Sequence, residues 1–154
     1  MTNLPPAAQA LGQLNINYQL FTHPGPVTSL AQAATERNQQ PHQIIRSLLF
    51  RAGDDYIMVL AAGDDQIDWK KLRHYLGLSR ITMAKPDELL TITGYQRGAV
   101  TPLGLPQPLR LIADQRVFQP DEISIGSGQR GTTIILTTTD LRAALPTIEI
   151  TDLL

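Results

Sequence analysis

The stretch QIIRSLLFRAGDDYIMVLAA, residues 43–62, carries two apolar runs on either side of a Gly-Asp-Asp turn. Apolar runs joined by a short polar turn predict a β-hairpin. Side chains alternate along a strand, so Ile44, Arg46, Leu48 and Phe50 share one face of the first run. A guanidinium among these apolar side chains needs a partner, because an unpaired buried ion destabilises a fold by several kcal/mol.

The rest of the chain alternates helices and strands around this hairpin. Ser29 and Asp68 are typical helix caps, and Gly77 and Gly94 are typical helix ends. We predict helices at residues 5–14, 30–38, 68–78, 85–94 and 138–145, and further strands at residues 18–22, 80–84, 109–113, 122–126 and 132–137. The expected fold is therefore α/β or α+β, with one domain over residues 1–154 and a mixed sheet of about six or seven strands.

The composition is that of an ordinary globular protein, with 42% hydrophobic and 18% charged residues. No apolar run is long enough to span a bilayer, and the N-terminal residues lack the basic and apolar segments of a secretion signal. We therefore expect a soluble cytoplasmic protein with no membrane partner. The chain contains no cysteine, which excludes disulfides, thiolate nucleophiles and cysteine-ligated zinc.

The charge balance limits the kind of nucleic-acid contact that the chain can make. Its 13 Lys and Arg residues face 14 Asp and Glu residues. Proteins that hold long stretches of nucleic acid by counterion release are usually much more basic. A small contact, such as the end of one RNA strand, is compatible with this balance.

Two glycine-rich segments are candidates for ligand contacts. GSGQRG, residues 126–131, matches G-x-G-x-x-G, but TTIILT after it predicts a strand where a dinucleotide fold needs a helix. We predict no nucleotide cofactor there. The segment is either a simple β-turn or a turn whose N–H groups approach a ligand. GYQRGAVTPLG, residues 94–104, predicts a stiff loop whose exposed N–H and C=O groups can bind polar substrates.

The three histidines, His23, His42 and His74, lack the spacing of a metal site, so no metal is expected. No Ser-His-Asp or Cys-His constellation can be assembled from the sequence. His74 is expected on the surface of its helix. His23 ends a strand just before a Pro-Gly-Pro break, where either a ligand contact or a hydrogen bond to that turn is possible.

Six segments resemble, in the same order, the YbaK and prolyl-tRNA synthetase editing-domain family of aminoacyl-tRNA deacylases. The most specific is GYQRGAVTP, within ITMAKPDELLTITGYQRGAVTPLGL, which resembles the family's G-x-x-x-P loop at residues 98–102. The others are THPGPVTSLAQAA, QIIRSLLFR, YIMVLAAGDDQIDWKKLRHYLGL, LIADQRVF and SIGSGQRGTTIILTTTDL. The resemblance implies a mixed, partly closed sheet or barrel of YbaK type surrounded by helices. It also implies hydrolysis of the ester between a wrong amino acid, expected to be small, and tRNA.

The resemblance also implies a site without metal or cofactor. Catalytic contributions are expected from Arg46, Gly98 and Pro102. Substrate contacts are expected from His23, Thr28, Ser47, Ala99, Val100, Thr101, Asp114, Ser127 and Gly128. The implied partners are the 3′ acceptor end of tRNA and an aminoacyl-tRNA synthetase.

Two positions depart from the family pattern. Arg46 stands where the family carries a lysine on the corresponding strand, and Gly126-Ser127-Gly128 replaces the common Ser-Ala-Gly. An arginine can still anchor a phosphate or ribose, or stabilise an oxyanion. It cannot act as a general base, because it keeps its proton in proteins.

Arg46 therefore leaves alternatives open. Its guanidinium either faces the pocket or forms an ion pair with Asp114 or, less favourably, Glu36. The chain is accordingly either a free-standing deacylase that acts in trans or a non-catalytic module. The module would bind an aminoacyl-tRNA 3′ end or a small amino-acid-like ligand.

Overall fold

The computed structural model describes residues 4–154 and contains one mixed sheet. The eight strands of this part of the chain are β1 (Gln19–Thr22), β2 (Ile44–Ala52), β3 (Asp55–Ala62), β4 (Thr82–Met83), β5 (Arg110–Asp114), β6 (Glu122–Gly126), β7 (Thr132–Thr137) and β8 (Glu149–Thr151). The helices are α1 (Pro6–Gln13), α2 (Leu30–Glu36), α3 (Trp69–Leu76), α4 (Pro86–Thr93) and α5 (Thr138–Ala144), with short 3-10 helices at Pro41–Gln43 and Gln115–Phe118.

The sheet confirms the predicted mixed α+β fold. The strand order is β1-β7-β6-β2-β3-β5-β8, and β4 pairs with β2 outside this path. β2 and β3 form the predicted antiparallel hairpin, in register from Ile45 opposite Ala62 to Ala52 opposite Asp55. β6 runs parallel to β2, and β5 runs parallel to β3.

The helix ends follow the predicted capping residues. The Asp68 carboxylate accepts hydrogen bonds from the N–H groups at the start of α3, and Gly77 ends that helix with φ of 69°. Ser29 Oγ accepts from Gln32 N at 3.0 Å at the start of α2. Gly94 ends α4 with φ of 78°, a left-handed conformation that glycine adopts without steric cost.

Both faces of the sheet are covered by helices. The main core lies on the face that includes Ile45 and Leu49 of β2, where α1, α4 and α5 pack. The opposite face of β2 includes Phe50, which packs with α3, and Ile44, which packs with α2. Because strand residues alternate, Arg46 shares the second face and Ser47 shares the first.

Several details differ from the sequence prediction. The chain has one strand more than expected, because the short β8 adds parallel to β5, and the two 3-10 helices were not predicted. Asp55 already belongs to β3, so the hairpin turn is tighter than the predicted three residues. The predicted domain limits include residues 1–3, which lie outside the described part. No helix within residues 4–154 is long and apolar enough to cross a membrane.

Candidate functional site

The middle of β2 borders a gap in the sheet. On one side of β2, β6 pairs with Ile44 and Ile45, whereas β4 pairs with Phe50 and Arg51. The two neighbours therefore leave residues 46–48 of β2 without a strand partner on that side. We call this space between β6 and β4 the sheet gap.

Ser47 directs its backbone into the sheet gap. Leu49 O accepts a hydrogen bond from Ala84 N at 3.0 Å on this side, and the backbone groups of Ser47, two residues earlier, point the same way. Ser47 is in register with neither β6 nor β4. Its Oγ is buried and has no hydrogen-bond partner among the described residues. Buried polar groups are normally satisfied, so this serine is an exception that needs an explanation.

The 98–102 loop lies against the end of β6. Gly128 N donates to Ala99 O at 2.9 Å. A Cβ built on Gly126 would overlap Val100 O and lie 3.0 Å from Val100 C. Glycine at 126 therefore makes room for the loop backbone.

The strand register brings Arg46 next to this contact. Ile45 of β2 lies opposite Ile125 of β6 in the parallel pair. The pairing ends there, and Arg46 and Gly126 are the next residues of the two strands. The backbone of β2 at Arg46 and Ser47 and the 98–102 loop therefore lie near the end of β6, and the site that the family resemblance implies stays a prediction.

The loop also presents free donors. Ala99 N donates to Gln96 O, but the N–H groups of Val100 and Thr101 donate to no acceptor in residues 4–154. Gly98 begins the loop with φ of 90°. A left-handed residue followed by free N–H groups is a backbone arrangement that suits an anion or a developing oxyanion.

The alternative in which Arg46 forms an ion pair with Asp114 or Glu36 is contradicted by the partners of its guanidinium. Arg46 Nε donates to Gly63 O at 2.6 Å, and Arg46 Nη2 donates to Asp65 O. Both acceptors are backbone carbonyls in the turn between β3 and α3. The planar guanidinium donates to the two carbonyls through two different nitrogens.

The carboxylates of Asp114 and Glu36 bind other partners. The Asp114 side chain is fully buried and accepts from Arg116 Nη1 at 2.9 Å, Arg116 N at 3.1 Å and Leu153 N at 2.9 Å. Glu36 Oε1 lies 2.7 Å from His23 Nδ1. We therefore leave Asp114 out of the proposed substrate contacts.

His23 belongs to a chain of hydrogen bonds that links β1, α2 and β6. Arg37 Nε donates to His23 Nε2 at 3.0 Å, and Arg37 Nη1 donates to Ser124 Oγ at 2.9 Å. Because Nε2 accepts, Nδ1 carries the proton and donates to Glu36. The hydrogen bond from His23 is the largest influence that lowers the pKa of Glu36, followed by the bond from Gln32. Burial lowers the pKa of Arg37.

Thr28 lies at the exposed end of this chain. Its N–H and Oγ1 both donate to Gln32 Oε1 at 2.9 Å, and Gln32 Nε2 donates to Glu36 Oε2 at 2.7 Å. Thr28 is itself exposed. Both polar groups of Thr28 therefore bind Gln32 in α2, and its predicted contact with a substrate stays a prediction.

The side chains of the other predicted residues are mostly buried or bonded within the protein. Thr101 and Ser127 are fully buried, and Ala99 is nearly so. Thr101 Oγ1 accepts from Leu103 N, and Ser127 Oγ donates to Thr132 O at 2.6 Å. Pro102 is also buried. Their predicted roles stay predictions, now restricted to loop backbone groups and loop shape.

Two clefts lie away from the sheet gap. A cleft of about 490 Å³ is lined by Arg51, Gly53 and residues 78–82, and one of about 370 Å³ lies along β1, β7 and the start of α5. Neither contains a predicted site residue. Across residues 4–154, no group of three His, Asp or Glu side chains is placed to share a metal ion. Unsatisfied polar groups, rather than volume, therefore define the candidate site.

Three residues of this region were not predicted: Arg37, Ser124 and Gly126. Gly126 lies in the GSGQRG segment, and its close approach to the loop is the kind of reason for which glycine is required. Arg37 and Ser124 are 87 residues apart in sequence, so no local pattern could have connected them.

Comparison with known proteins identifies the family. A profile of the aminoacyl-tRNA editing domain matches residues 24–144. Proline–tRNA ligase of Streptococcus thermophilus is 32% identical over 103 residues, which are 67% of this chain and 17% of the ligase. Proline–tRNA ligase of Levilactobacillus brevis is 29% identical over 103 residues, 67% of this chain and 18% of the ligase. The chain therefore spans less than a fifth of the length of these relatives.

A solved structure shows the same fold. It is that of a candidate trans-editing enzyme for prolyl tRNA synthetase, with a TM-score of 0.88 and 24% sequence identity, and the match covers 99% of this chain and 98% of that chain. The profile match extends from the segment before α2 to the end of α5, and so includes the sheet gap and the 98–102 loop. The chain belongs to the aminoacyl-tRNA editing domain family.

Proposed function

We propose that this chain is an aminoacyl-tRNA deacylase that acts in trans and hydrolyses the ester between a small amino acid and the 3′ end of tRNA. The observation that carries the proposal is Ser47 in the sheet gap. On the side of the gap its backbone has no strand partner, whereas β3 pairs with it on the other side, and its buried Oγ has no hydrogen-bond partner in the described residues. Family membership supports an editing role, and the amino acid and the reaction are what we add.

An aminoacyl ester matches the groups that the gap leaves unpaired. The amino acid carries an ammonium donor and a carbonyl acceptor, the same pair of functions that one strand residue offers its neighbour. In the proposed complex the ammonium donates to Ser47 O. The ester carbonyl points towards the N–H groups of the gap and of the 98–102 loop.

The proposed reaction is attack on the ester carbonyl carbon by water, because attack by the neighbouring ribose hydroxyl would only move the ester to that hydroxyl. The carbonyl oxygen becomes an oxyanion, the bond to the ribose oxygen breaks, and the proton of the nucleophile passes to the leaving ribose oxygen. The free N–H groups of Val100 and Thr101 are the proposed oxyanion donors. One such donor contributes roughly 100- to 1000-fold in rate.

Arg46 is proposed to act by charge and position rather than by proton transfer. Nε and Nη2 hold the turn after β3 through the carbonyls of Gly63 and Asp65. Nη1 makes no hydrogen bond to residues 4–154 and is the donor available to a ligand. A guanidinium fixed in this way can bind a ribose oxygen or a terminal phosphate beside the gap.

The test is ester loss from tRNAs mischarged with alanine, cysteine, serine and proline. We expect hydrolysis of at least one of them, and a fall of about 100-fold for Arg46→Ala. Arg51→Ala is the matched control, since Arg51 lies on the same strand, is exposed, and donates its Nε to Gly53 O at 3.0 Å. Arg51→Ala should keep the rate within about twofold. No ester loss above buffer for any of the four tRNAs contradicts the proposal.

One observation favours a second function, a non-catalytic module that binds an aminoacyl-tRNA end or a small amino-acid-like ligand. Two nitrogens of the Arg46 guanidinium already donate to backbone carbonyls. Arg46→Lys separates the two functions. Hydrolysis gained by this variant over an inactive native chain supports the binding module, whereas activity of the native chain that Arg46→Ala abolishes supports the deacylase.

A further inference from the structure

Two arginines lie at the rim of the 98–102 loop. Arg130, in the turn between β6 and β7, donates its Nε to the backbone carbonyl of Arg97 at 3.1 Å. Arg97 directly precedes Gly98. The Gly128 N to Ala99 O bond of 2.9 Å joins the same two segments a second time. Both arginines are therefore held next to the sheet gap by contacts of the backbone that forms it.

The charges of these arginines are not neutralised within the described chain. Both residues are exposed, and neither takes part in an ion pair within residues 4–154. The Arg97 guanidinium makes no hydrogen bond to these residues, and Arg130 uses only Nε. The chain has a formal net charge of −1, so these two unpaired cations do not belong to a protein that is basic as a whole.

We propose that Arg97 and Arg130 bind phosphates of the RNA strand whose 3′ end enters the sheet gap. The proposal rests on the proposed function for the direction of that strand. A guanidinium suits a phosphate because its fork of N–H groups matches two phosphate oxygens, and a backbone-tethered arginine loses less freedom on binding. These residues act on binding, and the ester chemistry belongs to the groups inside the gap.

The experiment measures binding of unacylated tRNA, so that its result does not depend on hydrolysis. Arg97→Ala keeps the backbone carbonyl that Arg130 uses, and so removes a charge without removing the contact between the two segments. Arg142→Ala is the matched control. Arg142 is exposed in α5, which follows β7, whereas Arg130 precedes β7. The six residues of β7 separate them by about 20 Å.

We expect Arg97→Ala and Arg130→Ala each to weaken tRNA binding about three- to tenfold at low salt, and Arg142→Ala to leave it unchanged. Each rim variant should also reduce the slope of log K against log salt by about 0.7, the value for one single-strand phosphate contact. Arg130→Lys should restore part of the affinity, because it keeps the charge.

Two outcomes overturn the proposal. One is tRNA binding by Arg97→Ala and Arg130→Ala that equals the native chain in affinity and salt slope. The other is that both variants bind an acidic protein surface, such as a purified synthetase, more weakly than the native chain does, while their affinity for tRNA is unchanged. Failure of the proposed deacylation appears separately, as a native chain that binds tRNA through these arginines and releases no amino acid.

Discussion

Replacing Gly126 by alanine tests the contact between β6 and the 98–102 loop. The new Cβ would overlap Val100 O and lie 3.2 Å from Ala99 O. Ordinary C···O contacts begin at about 3.3 Å, so the loop backbone must move by roughly 1 Å. Gly126 is not among the residues with positive φ, so the alanine adds no backbone strain of its own. Overpacking of this kind costs about 1–3 kcal/mol.

This displacement of the loop should reduce the rate of deacylation more than it destabilises the fold. A shift of about 1 Å in a group that positions a reaction can cost about 100-fold. We expect Gly126→Ala to lose roughly that factor in single-turnover deacylation, and to lower Tm by about 2–4 °C for each kcal/mol of overpacking. Unacylated tRNA binding should change little, because Arg97 and Arg130 remain.

Gly12→Ala is the control for this variant. Gly12 lies in α1, and a Cβ there meets nothing within 4 Å. Alanine in a helix is favoured over glycine by up to about 1 kcal/mol, so this variant should be as stable as the native chain or more stable. A Gly126→Ala protein with the native Tm and the native rate would refute the argument that the loop backbone needs this space.

Two further predictions concern stability. His23→Ala removes the shared partner of Glu36 and Arg37 and should lower the free energy of unfolding in urea by about 2–3 kcal/mol. The exposed His74→Ala is the control and should stay within about 0.5 kcal/mol of the native value. Equal effects of the two variants would contradict this prediction. The Arg116 side chain lowers the pKa of Asp152 from 3.8 to about 2, so the unfolded chain takes up this proton first as pH falls. The contribution of Asp152 is complete above pH 3.8 and is lost towards pH 2. Urea unfolding should therefore show Asp152→Asn less stable than the native chain at pH 7 and nearly equal to it near pH 2, and a constant difference would be the contrary result.

Local patterns were sufficient for the elements that build the sheet. The hairpin at β2 and β3 follows from two apolar runs and a turn, and the caps at Ser29 and Asp68 follow from side chains that bind the N–H groups next to them. β8 was missed because it has three residues and depends on β5 for its pairing. A strand that short has too little pattern of its own to be recognised.

The partners of Arg46 show why the site could be predicted only in part. Its position on a mostly apolar face was evident from alternation, and the need for a partner followed from its charge. Its acceptors are backbone carbonyls 17 and 19 residues away, and every residue carries such a group. A search among carboxylates therefore selected Asp114 and Glu36, which are satisfied elsewhere.

The sheet gap depends on tertiary structure alone. Its existence requires that β6 and β4 lie on the same side of β2 and pair with different parts of it. No single-sequence pattern states which strands are neighbours. Ser47 was predicted from the family resemblance, and the physical reason for its proposed role, a backbone unpaired on one side, becomes evident only from the strand order.

The hydrogen bonds of His23 decide where the proton of the proposed nucleophile cannot go. The imidazole has one lone pair and one N–H, and Arg37 and Glu36 occupy both. A histidine is usually the first candidate for a base in hydrolysis, but this ring has no vacant position unless one of these two hydrogen bonds breaks. His23 thus links the charges of Arg37 and Glu36, and in the proposed reaction the proton is expected to travel within the substrate or through water.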